Sequence, residues 1–249
     1  DYSPQLRSID IHQEILQLSA NATSQLLKEV QKRYHADIND ILLAAFSQTI
    51  NNWQQTQSFT IALEGHGRED IGHADTTRTM GWFTSIYPFN LSTTETNSIH
   101  DLVKQTKENL RQIPDRGLGY GVLKYINHAE GLQQANAEVL FNYLGQTDTA
   151  LQHKGFLQPA TEPSGEGTAS DHPVNEKLSV LLQVSAGCLE VKWNYSSKHF
   201  EPETIKNLAL SYNGCLEQII NEALGLEGAI FTPSDFGLQD AVSYQELDN

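Results

Sequence analysis

Between Ile38 and Trp53 the apolar residues keep a helical period, and within a few residues of its end the period drops to two. Ile38, Ile41, Leu42, Ala45, Phe46, Thr49, Ile50 and Trp53 recur at i, i+3, i+4 and i+7, the signature of a buried amphipathic helix, with Asp37 placed as its N-cap. Phe59-Thr60-Ile61-Ala62-Leu63-Glu64 then alternates. Phe59, Ile61 and Leu63 point one way; Thr60, Ala62 and Glu64 point the other. A helix handing over to a strand this quickly favours a layer of helix on sheet over a helical bundle or a β-sandwich.

The same mixture runs through the rest of the chain. An extended piece covers Ile9 to Leu18, and Asn21 or Thr23 is placed to cap a helix reaching Tyr34. Gly65 to Thr79 reads as a loop, followed by an aromatic strand over Gly81 to Leu91. Ser98 caps a helix carrying Ile99, Leu102, Val103, Thr106, Leu110 and Ile113. The glycine-rich turn Pro114 to Gly121 feeds a short helical segment, Val122 to Ile126, and Glu138 to Leu144 is a further strand. Lys177 to Val184 and Leu189 to Ser196 form a hairpin through Ser185-Ala186-Gly187-Cys188, and Pro202 opens a long C-terminal helix. Gln152 to Pro173, rich in Gly, Pro, Ser and Thr, is the longest stretch without a pattern, and such a loop inside a compact domain is usually functional or mobile. The fold class is therefore α/β.

Charge and composition remove several functions. Sixteen Lys and Arg stand against 31 Asp and Glu, a formal net charge of −15, which argues against bulk binding to nucleic acid or to anionic membranes. No apolar run approaches the roughly 18–20 residues needed to span a bilayer, and Asp1-Tyr2-Ser3-Pro4 does not read as a signal peptide. Two distant cysteines, Cys188 and Cys215, fit a reducing cytoplasm. Nine histidines show neither HxxxH nor HExxH spacing, and no GxGxxG or GxxxxGK[ST] run is present, so neither a metal nor a nucleotide site is expected.

The residues that carry chemistry gather around Leu63-Glu64-Gly65-His66-Gly67-Arg68-Glu69. Glu64 ends a strand whose own face holds only small residues, and it enters a turn in which glycines let backbone and ligand approach. It is either a solvated strand end or a carboxyl whose pKa apolar walls raise toward neutrality, as general acid/base work needs. His66 is a second titrating group or a turn residue bonded to backbone. Arg68 and Glu69 are placed to pair locally. Trp82, Phe83, Tyr87 and Phe89 line a ligand tunnel or fill a core. Tyr143, in an otherwise apolar strand, needs a hydrogen-bond partner.

The joint order of five segments adds a family resemblance. They are Asn39-Asp40-Ile41-Leu42-Leu43-Ala44-Ala45-Phe46, Glu64-Gly65-His66-Gly67-Arg68-Glu69, Arg78 to Pro88 with Gly81-Trp82-Phe83-Thr84-Ser85 at its centre, Pro114 to Gly121, and Phe141-Asn142-Tyr143-Leu144-Gly145. Together they resemble the epimerization domains of nonribosomal peptide synthetases, members of the condensation-domain superfamily, over about Ile9 to Phe236. The EGHGRE, GWFTSIYP and FNYLG forms are those of epimerization rather than ordinary condensation.

That resemblance implies a chloramphenicol-acetyltransferase-like lobe, a mixed β-sheet packed with helices, over residues 1–236, with 237–249 a polar tail or linker. It implies that an N-terminal lobe bearing an HHxxxDG histidine is absent, since this chain has no His-His pair. The implied activity inverts the α-carbon of an aminoacyl or peptidyl thioester held on the 4′-phosphopantetheine arm of a peptidyl carrier domain. Glu64 would be one acid/base and Tyr143 a catalytic neighbour. His66, Arg68, Trp82, Phe83, Thr84 and Tyr120 would line the substrate or phosphopantetheine tunnel. Gln152 to Pro173 falls where the family has a latch, and the stretch after Arg68 where it has a loop flooring the tunnel. Two other readings remain: a condensation or dual-function domain forming peptide bonds, and a non-catalytic lobe that docks carrier domains.

Overall fold

The computed structural model describes residues 5–69, 75–93, 98–132, 137–146, 165 and 167–238. A two-residue pair joins β1 (Leu6–Arg7) to β6 (Pro173–Val174). Six further strands form one mixed sheet: β2 (Ile11–Gln17), β3 (Ser58–Gly65), β4 (Ser85–Ser92), β5 (Val139–Gln146), β7 (Leu178–Ser185) and β8 (Cys188–Ser196), in the order β2-β8-β7-β5-β3-β4. β5 lies between β3 and β7 and runs parallel to both, while the other neighbours are antiparallel. The end of the segment read as patternless thus pairs with the chain start, and most of that segment (152–164 and 166) lies outside the described residues.

Helices cover one face of this sheet. The helix α1 (Ala20–Gln25) continues through a π turn, Leu26–Val30, into α2 (Gln31–Tyr34). Then come α3 (Ile38–Gln54), α4 (Ile99–Arg111), α5 (Leu118–Gly121) and α6 (Pro202–Leu224). The α3 helix packs on the sheet with α6 and α4 at its sides. At the centre Phe46 of α3 meets Phe141 at 5.2 Å, Trp193 at 6.0 Å and Tyr212 at 6.2 Å between ring centroids. All four are fully buried or nearly so, and they supply the large apolar area that stabilises the layer.

Strand alternation leaves the opposite face to polar and small side chains. Ala62, Leu140, Ser179 and Asn194 share one row across it, and Gln13 continues that row on β2. Gln13 donates to Asn194 at 2.7 Å, and Asn194 to Ser179 at 3.2 Å. Two rows along, Glu190 accepts from Gln17 and Gln183 and pairs with Lys192 at 3.0 Å, which holds its carboxyl below the usual range. These ladders satisfy polar groups on the face that the described helices leave uncovered.

Local structure departs from the sequence expectation in three places. Ser19, not Asn21 or Thr23, caps the first helix, its Oγ accepting from the Ala22 N–H at 3.3 Å. Thr23 is buried instead, donating to the Leu18 carbonyl and accepting from the Leu189 N–H at 2.9 Å, so its hydroxyl fastens the helix to β8. The aromatic strand begins at Ser85 rather than Gly81, because its partner β3 ends at Gly65 opposite Ser85 and nothing further along can pair. Val122–Ile126 is a π turn rather than a regular helix. The expected hairpin turn, in contrast, has Ala186 and Gly187 both at positive φ, the geometry a two-residue connection needs.

Two ion clusters fasten α4. Asp40, fully buried, takes two bonds from Arg111 (2.9 and 2.8 Å) and one from the Asp37 N–H (2.7 Å); Arg111 also reaches Asp37 at 3.1 Å. Burial keeps the Asp40 carboxyl above its usual range despite the guanidinium. Lys107, equally buried, donates to both oxygens of Asp235 (2.8 and 2.7 Å), holding the 3₁₀ turn Pro233–Phe236 against α4. Arg111→Ala would leave Asp40 buried without its cation, and is expected to cost about 3 kcal/mol in urea unfolding. The Asp40→Asn/Arg111→Ala double variant should lose less than the sum of the two single changes.

Candidate functional site

Glu64 sits one residue from the end of β3, on the face that the helices leave open. Its cross-strand neighbour on β4 is Ile86, half exposed. On the other side β3 and β5 are in parallel register at Ala62 with Leu140 and Leu63 with Phe141, so the next step sets Glu64 beside Asn142. The Asn142 Nδ2–H donates to Glu64 Oε2. Burial pushes the Glu64 carboxyl above its usual range, and the negative charge of Glu176 adds to the shift. A half-buried carboxyl raised in this way exchanges its proton closer to neutrality, as proton transfer to carbon requires.

Tyr143, the next residue on β5, belongs by alternation to the other face. It pairs in register with buried Leu182 and packs against the core, where burial raises its phenol pKa. The side chain that β5 presents to Glu64 is therefore Asn142, which sequence reasoning passed over. No local signal marked it: only the parallel register of β3 and β5 puts Asn142, not Tyr143, in step with Glu64.

The turn after Glu64 is held by its own side chains. His66 Nδ1 accepts from the Arg68 N–H at 3.0 Å, and its Nε2 lies 3.2 Å from Glu69. Glu69 in turn lies 3.8 Å from Arg116. The Arg68 guanidinium stacks over the Phe83 ring at 4.2 Å and donates to the carbonyls of Thr76 and, at 2.9 Å, Thr79. In this geometry His66, Arg68 and Phe83 clasp the loop. Thr84 is half-buried just before β4, whereas Trp82 is 90% and Met80 98% exposed. Residues 70–74, within the loop after Arg68, lie outside the described residues.

A second turn closes on the first. Asp115, Arg116 and Gly117 are all left-handed (φ 45°, 48° and 78°), which brings the Arg116 carbonyl within 3.4 Å of where a Cβ on Gly65 would stand. A Cβ on Gly117 would lie 2.1 Å from the Tyr87 ring. Tyr120 of α5 packs partly buried against the core, and the Lys124 ammonium lies 5.7 Å from its ring and 5.6 Å from that of Tyr125. Of the eight residues singled out from sequence, the structure brings Glu64, His66, Arg68, Phe83, Thr84 and Tyr120 to one end of the sheet, around β3, β4 and the turn over residues 114–121. Trp82 stands out into solvent there, and Tyr143 faces the core.

The condensation-domain family model matches residues 1–241. The chain belongs to the condensation-domain family. This condensation-family chain is 39% identical over 234 residues to a linear gramicidin synthase protein of Brevibacillus parabrevis, covering 92% of itself and 3% of that protein. It is 39% identical over 242 residues to tyrocidine synthase 2 of Brevibacillus parabrevis, covering 93% of itself and 7% of the relative. Among solved structures it is similar to the epimerization domain from the third module of tyrocidine synthetase B, with a TM-score of 0.81 and 32% identity, over 90% of this chain and 51% of that one. A cyclization–docking bidomain from Sorangium cellulosum shares the fold at a TM-score of 0.61 and 20% identity, over 84% and 42%. The chain thus spans a small part of the curated relatives and about half of the solved epimerization domain. Among the described residues no helix is long and apolar enough to cross a membrane.

The packing predicts two effects on stability. Gly67 has φ +64°, and a Cβ there would fall 1.5 Å from the Phe83 carbonyl oxygen. Gly67→Ala is expected to lower stability by about 2 kcal/mol or more in thermal unfolding; Gly119→Ala, with nothing within 4 Å, should stay within about 0.5 kcal/mol. Glu64 has a raised folded-state pKa, so it favours the fold below its unfolded pKa and loses that contribution as pH rises through the folded value. Glu64→Gln, which keeps an acceptor for Asn142, should raise the melting temperature at pH 8 and leave it unchanged at pH 4.

Proposed function

We propose that this chain is the C-terminal half of a nonribosomal peptide synthetase epimerization domain. Its partners are a histidine-bearing N-terminal half and a peptidyl carrier domain, and its place is the cytoplasm. The intact domain inverts the α-carbon of an aminoacyl or peptidyl thioester, L to D, and this half alone is inactive. The observation that carries the reading is the raised carboxyl of Glu64, bonded to Asn142 at the uncovered end of β3. The likeness to an epimerization domain, higher in TM-score than that to a cyclization bidomain, supports it.

The carrier's 4′-phosphopantetheine supplies the thioester whose carbonyl acidifies the α-proton. Inversion then needs that proton taken from one face of the carbon and another returned to the opposite face. Glu64 serves one face, moving its proton at Oε1 or Oε2. Asn142 fixes the carboxyl's orientation and, as a donor, favours its ionised form. The loop clasped by His66, Arg68 and Phe83 sets the wall of the site, with Trp82, Thr84 and Tyr120 beside it. Tyr143 acts through the β5 backbone it anchors, keeping Asn142 in step with Glu64. The second proton-transfer group comes from the other half of the domain.

In the full-length domain with a carrier-bound L-aminoacyl thioester, Glu64→Gln should slow deuterium wash-in at Cα on the order of 10²–10⁴-fold. Wild-type wash-in in that variant overturns the role of Glu64, and peptide product without wash-in turns the reading to condensation. Asn142→Ala removes a hydrogen bond to a charged group and should cost about tenfold or more in kcat/KM. It should also move the acid limb of the pH profile upward in the direction in which Glu64 takes the proton, because the ionised carboxylate loses its donor.

A further inference from the structure

At the other end of the sheet, where β3, β5 and β7 begin, lies a cavity of about 390 Å³. Its walls include Ile50 and Trp53 of α3, Phe59 of β3, Val139 of β5 and Phe200 ahead of α6. Phe59 and Glu64 are five residues apart along one strand, so roughly 15 Å separates this cavity from the Glu64 site. The volume falls within the range of small-molecule pockets, and the walls are mostly apolar, with Gln54, Thr60, Glu138 and Lys177 among them. Trp53 is 41% exposed and its ring stands 6.4 Å from that of Phe200, tilted by 45°, leaving an aromatic surface uncovered.

The polar groups of the lining are uneven in kind. Lys177 and Glu138 form an ion pair there, with the Glu138 side chain 62% exposed and that of Lys177 28%. An ion pair this accessible is weakly held and exchanges partners readily. Exchange leaves the sheet intact, because the backbone N–H groups of Lys177 and Leu178 are bonded to the Glu138 carbonyl at 2.8 and 3.2 Å. A ligand with a carboxylate alone would displace Glu138 from Lys177 and leave it to solvent; one with an ammonium alone would displace Lys177. A zwitterion satisfies both.

We infer that this cavity binds a free α-amino acid with a large apolar side chain, its side chain against Trp53 and Phe200 and its head group between Lys177 and Glu138. The site lies apart from Glu64, so it is an amino-acid site additional to the one proposed above.

The test is a titration of the 249-residue chain, ¹⁵N-labelled, reading the tryptophan indole signals, with Trp53→Phe identifying that of Trp53. L-phenylalanine should shift the Trp53 signal saturably, with a Kd on the order of 1 mM, while the buried Trp193 signal stays in place as the readout of an intact fold. N-acetyl-L-phenylalanine and phenethylamine, each lacking one charge, should bind about tenfold more weakly, as should L-phenylalanine to Lys177→Met. Benzyl alcohol binding as tightly as L-phenylalanine would overturn the amino-acid assignment. So would an unmoved Trp53 signal at about 20 mM ligand. Neither result touches the role of Glu64, which is read by wash-in at Cα.

Discussion

The structure depends on one face of a mixed sheet being buried and the other left open. Phe46 of α3, inserted among Phe141, Trp193 and Tyr212, joins sheet to helices through apolar burial. Because strand side chains alternate, the same packing that takes Ile61, Leu63 and Phe141 inward turns Ala62, Glu64 and Asn142 outward. The Glu64 carboxyl is thus held by a strand whose other side is solid core. A one-residue slip of β3 against β5 would exchange the two sets, and burial of Phe141 forbids it.

Close backbone approach then shapes the end of the sheet around Glu64. Gly67 passes the Phe83 carbonyl and Gly117 passes the Tyr87 ring at distances that no side chain permits. Left-handed Asp115 and Arg116 hold backbone strain at this same end, where Arg116 lies 3.8 Å from Glu69. Arg68 and His66 spend their polar atoms on the loop itself, which leaves Glu64 and Asn142 as the pair facing outward. The opposite end of the sheet has a different character: an apolar hollow with a loosely held ion pair at its rim.

Much of the fold was legible because its signals are local. The Ile38–Trp53 period and the alternation of Phe59 to Glu64 reappear as α3 and β3, and the two-residue hairpin turn needed only Ala186-Gly187 at positive φ. What was misread depends on distant partners. Ser19 caps the first helix because Thr23 is claimed by Leu189, 166 residues away. Gly81 to Thr84 looks like a strand and is not one, since β3 has already ended opposite Ser85. The burial of Lys107 on Asp235, 128 residues further on, has no local signal either.

The sequence by itself determined the α/β layering, the helix and strand that lead to Glu64, and the glycine-bounded turn that follows it, since each follows from periodicity and local sterics. Tertiary structure alone decided which residue stands beside that carboxylate. Asn142 reaches Glu64 because β5 inserts in parallel between β3 and β7, and that strand order is set by how apolar faces from distant parts of the chain pack together. The rise in the Glu64 pKa has the same origin: it comes from desolvation, which exists only once the sheet has assembled around the group.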